Sequence, residues 1–385
     1  MLQAADNEYF PKNYQHSRGV FLAGINLAAG PKIIGQWVVP GKKDNDLAVD
    51  HVYLQPTKTA ETLFVLTSGI HGSETYAGAA VQAMFIKEIL PKIDRSSTGI
   101  FIAHAMNPYG FKHHQRCTEA GVNLNRNFSV SGENFKRRNE ASAQMCEKFL
   151  ERKPVTSLKS SLLQKMTLNN SKPVFDGVTL DELIKGTAPG QFERPQDWEF
   201  GGFGPEPQTK AFTDKMAELM PNYKKIIVFD LHTGLGDRNR LHLLMDEPGK
   251  SVDEKLFAEL IKPDSDKEYY TFTPPEAEGF YPVHGALNSA FGELASDSQR
   301  VLALTMEYGT LGHSQEDQLM GLNSFALAHQ GHFHGYANPV IAEQVIRENF
   351  ERSRPQGAQW EQEVIKSARG LFQRVFGRLM ENVNF

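Results

Sequence analysis

Four apolar runs constrain this chain more than anything else in it: TLFVLTSGIH (62–71), GIFIAHAMNP (99–108), KIIVFDLHTG (225–234) and RVLALTMEYGT (300–310). Each runs almost without polar interruption and then stops in polar residues. A strand with one wet face alternates apolar with polar, so near-continuous runs of this length read as strands buried on both faces. Helix-period segments separate them, such as AGAAVQAMFIKEIL (77–90) and TKAFTDKMAELM (209–220). Strand and helix in alternation predict an α/β fold with a mixed, largely parallel central sheet flanked by helices.

The flanking sequence fits that frame. KIIGQWVVP and LAVDHVYLQ, around the turn GKKDND, predict an edge hairpin. Two amphipathic helices are expected to close the chain, within about 339–380. Between about 150 and 207 the rhythm is lost and Pro, Gly and Ser collect, which we read as an irregular elaboration with short helices. No repeat or second alternating unit is visible, so the expectation is one domain over 1–385. GGFGPEP within the elaboration is a loop, because no strand leads into it as a dinucleotide fingerprint requires.

Charge and composition exclude several classes. Asp and Glu outnumber Lys and Arg 46 to 41, a net charge of -5, which lacks the basic footprint of a nucleic-acid binder. No stretch approaches the roughly 20 apolar residues of a membrane span. The first residues show no basic start followed by an apolar core, so no secretory signal is read. With only Cys117 and Cys146 there is no disulfide framework, and the expected home is a reducing cytoplasm. Nothing in the sequence fixes an oligomeric state.

Polar residues recur where the four runs end. The first delivers His71 and Glu74, a spacing that alone says little, since an acidic residue in a first helical turn meets the dipole favourably. The second leads to RCTEAGVNLNRNF (116–128), the third ends in Asp230-Leu231-His232, and the fourth holds Glu307. Ligands of open α/β sheets bind beyond the carboxyl ends of the strands. Two His and one Glu suffice for a catalytic zinc that keeps its fourth position for water. Glu307 is then left to take a proton, and Arg116 and Arg126 to meet negative charge. Those are the parts of metal-assisted amide hydrolysis.

The order His-x-x-Glu, Arg, Asn-Arg, His, Glu resembles the zinc carboxypeptidases and their deacylase relatives, aspartoacylase and succinylglutamate desuccinylase. DLHTG is similar to the third-ligand strand of the deacylases, and NLNRNF to the Asn-Arg segment that both branches share. TSGIHGSETYAGAAVQ, DLHTGLG and TMEYGT look closer still to an uncharacterised bacterial branch of the superfamily. The resemblance implies one zinc (Zn2+) per chain on His71, Glu74 and His232, with Glu307 as general base and later acid. It implies Arg116 on the scissile carbonyl, and Asn125 and Arg126 on a substrate carboxylate. Tyr281, and less so His284, is the candidate for the family's tyrosine that reaches in from a loop. Asp230 is expected to face away from the metal along its strand, with a supporting place behind a ligand as the alternative.

The expected activity is zinc-dependent, carboxypeptidase-like cleavage of an amide bond beside a free carboxylate. The substrate would be a small peptide or, in the alternative, an N-acyl amino acid, with neither nucleic acid nor membrane as partner. A non-catalytic binding protein on the same fold is the remaining possibility. HQGHFHG (329–335) holds three His without a carboxylate or Cys and reads as a helix end or polar loop. His104, His113 and His114 read as structural imidazoles, and Cys117 as a small buried residue.

Overall fold

All four runs are strands. A computed structural model of the chain describes residues 7–42, 44–245, 252–262, 270–273, 283–312 and 314–381. Among the described residues eight strands form the main sheet: β1 (Lys32–Val38), β2 (Ala48–Leu54), β3 (Thr62–Ser68), β4 (Thr98–His104), β5 (Lys225–Gly234), β6 (Leu241–Leu244), β7 (Tyr270–Thr273) and β8 (Arg300–Gly309). Their order across the sheet is β1-β2-β4-β3-β5-β8-β6-β7. The four central strands β4, β3, β5 and β8 run parallel, and β1, β2 and β6 join antiparallel to their inner neighbours. The sheet is therefore mixed and largely parallel, as the alternation predicts, and β1–β2 is the expected hairpin.

The unbroken apolar runs have a simple cause. Side chains alternate across a strand, and here each face meets its own core. Phe64, Leu66, Ile227, Phe229, Leu302 and Leu304 pack on one side with the Thr75–Met84 and Ala358–Glu381 helices. Leu63, Val65, Ile226, Val228, Val301 and Ala303 pack on the other with the Pro207–Leu219 and Leu287–Leu294 helices. Polar side chains enter the central strands toward their carboxyl ends, at Thr67, Asp230 and Thr305, which lie side by side in register.

The helix expected over 77–90 begins at Thr75 and stays α-helical only to Met84. It then loosens into a π turn over Phe85–Ile89 and ends in a 3-10 turn holding Pro91. Proline lacks the N–H that would bond back along the helix and crowds the carbonyl four residues earlier, so the last turns must rearrange. The closing helices run Pro339–Ser353 and Ala358–Glu381, close to their expected bounds. No helix among the described residues is long and apolar enough to cross a membrane.

The elaboration holds short helices and also a small antiparallel sheet of Met166–Asn169, Lys172–Phe175 and Val178–Thr179. It gathers a satellite apolar cluster around Phe149, Leu162, Phe175, Leu183 and Trp198. Ala326 of the Gln315–His334 helix closes that cluster. HQGHFHG is the end of this helix, where the His329 ring bonds the Gln196 carbonyl at 2.9 Å. His104 is structural as expected, held between Ser17 and Gln82 and stacked on Phe21.

Candidate metal centre

β3 ends at Ser68, and Gly69 turns the chain with a φ of 73°, a left-handed conformation that glycine adopts freely. The segment His71–Glu74 then lies directly on the Pro108–His113 helix. A Cβ on Gly72 would stand 2.1 Å from the Gly110 carbonyl carbon, so only glycine permits the approach. Gly72 N–H donates to the Arg116 carbonyl at 3.2 Å, and Ser73 N–H to that of Gln115 at 3.0 Å. Asn107 ties the same carbonyl of Arg116 at 3.0 Å. One close packing thus sets His71, Glu74 and Arg116 in a common frame.

β5 supplies His232 and β8 supplies Glu307, paired in register on adjacent parallel strands. His71, Glu74 and His232 are all buried, and one ligand atom from each lies within 4.8 Å of the others. His71 Nδ1 is 2.9 Å from Glu74 Oε1, and His232 Nδ1 is 3.2 Å from Glu74 Oε2. The opposite ring nitrogens face fixed acceptors. His71 Nε2 meets Asn123 Oδ1 at 3.1 Å, and His232 Nε2 meets Asp230 Oδ2 at 2.7 Å. A proton held on each Nε2 leaves each Nδ1 lone pair aimed at a common point, the tautomer a metal needs.

The charges agree with a cation site. Burial, then Arg116, pushes His71 down to about 4, so its ring is neutral. Burial opposes ionisation of Glu74, yet His71 and His232 hold its carboxyl well below the usual range. Burial likewise opposes a charge on His232, but Asp230 and Glu74 raise it well above an ordinary histidine. A proton on His232 Nδ1 thus answers Glu74 as a metal ion would. Arg116 Nη1 leans on the same cluster, 3.1 Å from His71 Nδ1 and 3.2 Å from Glu74 Oε1. Two imidazoles and one carboxylate form a donor set that fits zinc, the ion taking the place of the His232 Nδ1 proton.

Glu307 accepts the Leu235 N–H at 2.8 Å through Oε1 and is 7% exposed. Burial, then Glu74, raises its carboxyl to about 7. Beside it opens a cavity of about 270 Å³, lined by the three ligands, Arg116, Asn125, Arg126, Glu199 and Glu307. Arg126 is almost fully enclosed: Nε and Nη2 donate to the Ala188 carbonyl at 3.0 and 2.7 Å, and Nη1 to that of Asn125 at 2.8 Å. Asn125 Oδ1 accepts the Leu287 N–H at 3.1 Å.

One model of a known family covers residues 10–367: DUF2817, described as a protein family of unknown function. The chain belongs to the DUF2817 family. No curated protein matches its sequence. Among solved structures it is similar to bovine thrombin-activatable fibrinolysis inhibitor in complex with tick carboxypeptidase inhibitor, at 13% identity and a TM-score of 0.47, over 88% of this chain and 98% of that one. A metallo-carboxypeptidase from Burkholderia cenocepacia matches at 14% identity and a TM-score of 0.43, over 84% and 70% of the two chains. Carboxypeptidase A from Helicoverpa armigera matches at 12% and 0.43, over 90% and 75%. At this distance the site has to be read from its own atoms.

In this DUF2817 member the structure gathers His71, Glu74, Arg116, Asn125, Arg126, His232 and Glu307 around one cavity. Tyr281 lies outside the described residues. His284 is described, but the cavity takes its neighbour Val283 as a wall instead. The expectation for Asp230 is overturned. Residues i and i+2 of a strand share a face, so Asp230 sits behind His232 and bonds its ring, while Thr67 Oγ1 donates to its other oxygen at 2.5 Å.

Two site residues escaped the sequence reading. Asn123, two before Asn125, links the His71 ring to a carboxylate. That carboxylate is Glu199, from the elaboration, which faces Arg116 and Arg126. The lost rhythm of 150–207 hid a wall of the site.

Proposed function

We propose that this chain is a zinc-dependent, carboxypeptidase-like hydrolase that cleaves an amide bond beside a free carboxylate. One observation carries the reading: the Nδ1 atoms of His71 and His232 converge with the Glu74 carboxylate, while Glu307 stands next to them on the adjoining strand. His71, Glu74 and His232 would hold the ion. When bound, zinc would supply the Lewis acidity that makes water a nucleophile near neutral pH.

The remaining steps belong to the chain's own groups. Glu307, ionised, takes a proton from the attacking water and returns it to the leaving nitrogen, a transfer that its place inside the cavity wall allows. Arg116 faces the same space and meets the negative charge that grows on the carbonyl oxygen. Asn125 and Arg126 line the wall suited to a substrate carboxylate, Arg126 offering the guanidinium charge that an arginine keeps at any working pH. Asp230 and Asn123 keep both imidazoles turned toward the ligand position.

The deciding experiment pairs two substrates that differ only in a free or amidated carboxyl group, assayed with protein of measured zinc content. Strong preference for the free acid supports the reading, because an amide lacks the charge that attracts a carboxylate to a guanidinium. Equal cleavage of both would make the protein a broader amidase. Adding an N-acyl amino acid to the panel separates peptide cleavage from deacylation.

A further inference from the structure

Glu199 stands in the cavity wall with a backbone φ of 55°, a left-handed conformation that side chains other than glycine seldom take. The strain is held in place from both sides. The Glu199 carbonyl accepts the Gln191 N–H at 3.1 Å, and the next carbonyl, of Phe200, accepts the Asn123 N–H at 2.7 Å. Residues kept in such conformations persist only where the surroundings over-determine them, and they cluster at working sites.

Its carboxylate divides between the two arginines. Oε1 lies 3.4 Å from Arg116 Nε, and Oε2 lies 3.5 Å from Arg126 Nη2 while accepting the Asn123 amide. The side chain is 10% exposed. Burial opposes its ionisation, yet Arg116 and Arg126 hold its carboxyl at about 2, so it carries its charge at any working pH. The position between two guanidinium groups is where an incoming carboxylate would bridge them. Here the protein's own carboxylate fills it. The cavity wall also carries Leu180, Ile184, Leu311, Leu322 and Phe325, with Asp317 and Arg352 among them.

We propose that Glu199 is a specificity-determining residue: it restricts the anchored end of the substrate to a single carboxylate by occupying the place a second one would take. A dicarboxylate end, such as an aspartyl or glutamyl residue, would meet a fixed like charge in a closed space. An apolar residue brings only the terminal carboxylate, which Arg126 answers, and no second charge to set against Glu199. Discrimination of this kind works by repelling the wrong ligand as much as by holding the right one. The inference rests on the hydrolase reading above, and within it favours peptides ending in an apolar residue over N-acyl aspartate or N-acyl glutamate.

The test compares N-blocked dipeptides ending in leucine and in glutamate, for wild type, Glu199→Gln and Glu199→Asp. Wild type should favour the leucyl substrate by at least about tenfold in kcat/KM, and Glu199→Gln should narrow that ratio about tenfold, mainly by lowering KM for the glutamyl one. Glu199→Asp keeps the charge and should keep the wild-type order. Titration of butyrate and succinate, followed by ligand-observed NMR, gives a second readout independent of turnover. Wild type should prefer butyrate, and Glu199→Gln should shift toward succinate. A uniform loss of kcat in Glu199→Gln with unchanged ratios would overturn the proposal and leave Glu199 as a support for the arginines. Tighter binding of succinate than butyrate by wild type would overturn it whatever the variants do. If wild type cleaves neither dipeptide, the hydrolase reading falls, and the butyrate and succinate titration still judges Glu199 alone.

Discussion

At the scale of single residues, the site separates into ligands, their supports and a base, and each can be removed by itself. His232→Ala should strip most of a single bound zinc, read by metal analysis, with the fold intact. Asp230→Asn should leave the ligand but lose its orientation, lowering zinc affinity about 10–100-fold, the usual effect of a partner behind a ligating histidine. Glu307→Gln should bind zinc normally and lose about 10²–10⁴ in kcat. Glu307 serves as a base only when ionised, so kcat/KM should fall as pH drops through its pKa. Burial, then Glu74, pushes that carboxyl to about 7, and a nearby dication pulls it down again. The acid limb of the pH–rate profile should therefore lie below about pH 7 and report one proton. A flat profile there would move the base elsewhere. His71, Glu74, His232 and Glu307 were legible because polar residues at the ends of doubly buried strands have few places to go. Asp230 was legible too, by strand arithmetic, and was misread. Glu199 was not: a left-handed glutamate in an aperiodic stretch leaves no pattern to find.

At the scale of elements, the elaboration is part of the site rather than an ornament on it. Its Ala188 carbonyl holds Arg126 and its Glu199 faces both arginines. Gly190, with a φ of 97°, passes so close that a Cβ there would lie 2.8 Å from Arg126 Cδ. Gly190→Ala should cost about 1–3 kcal/mol of stability through overpacking. It should also weaken the preference for a free carboxylate, measured beside the melting temperature. A lower melting temperature with that preference intact would place the substrate carboxylate elsewhere. The central strands could be read from sequence because two cores flank them, whereas β6, β7 and the three strands of the elaboration are too short to build a period. Length, more than composition, set what was visible.

At the scale of the whole molecule, two large apolar cores enclose the sheet, so the fold does not hang on an ion at its edge. Treatment with a chelator should leave the far-ultraviolet circular dichroism unchanged. The melting temperature should drop, and zinc should restore it in a concentration-dependent way, stabilising the fold by about 2.7 kcal/mol at a hundredfold excess over Kd. Collapse of the secondary structure on chelation would make the metal structural. The parallel order of the strands has one more consequence, for the growing chain. Glu74 and His232 are 158 residues apart, and the base lies beyond both. β3 cannot meet β5 until all that lies between has been made, and pairing over such a span closes slowly. While residues 75–231 are being made, the polypeptide carries two of its three ligands, a partial set that grips zinc poorly, and the ion is expected to be held only after β5 has joined β3.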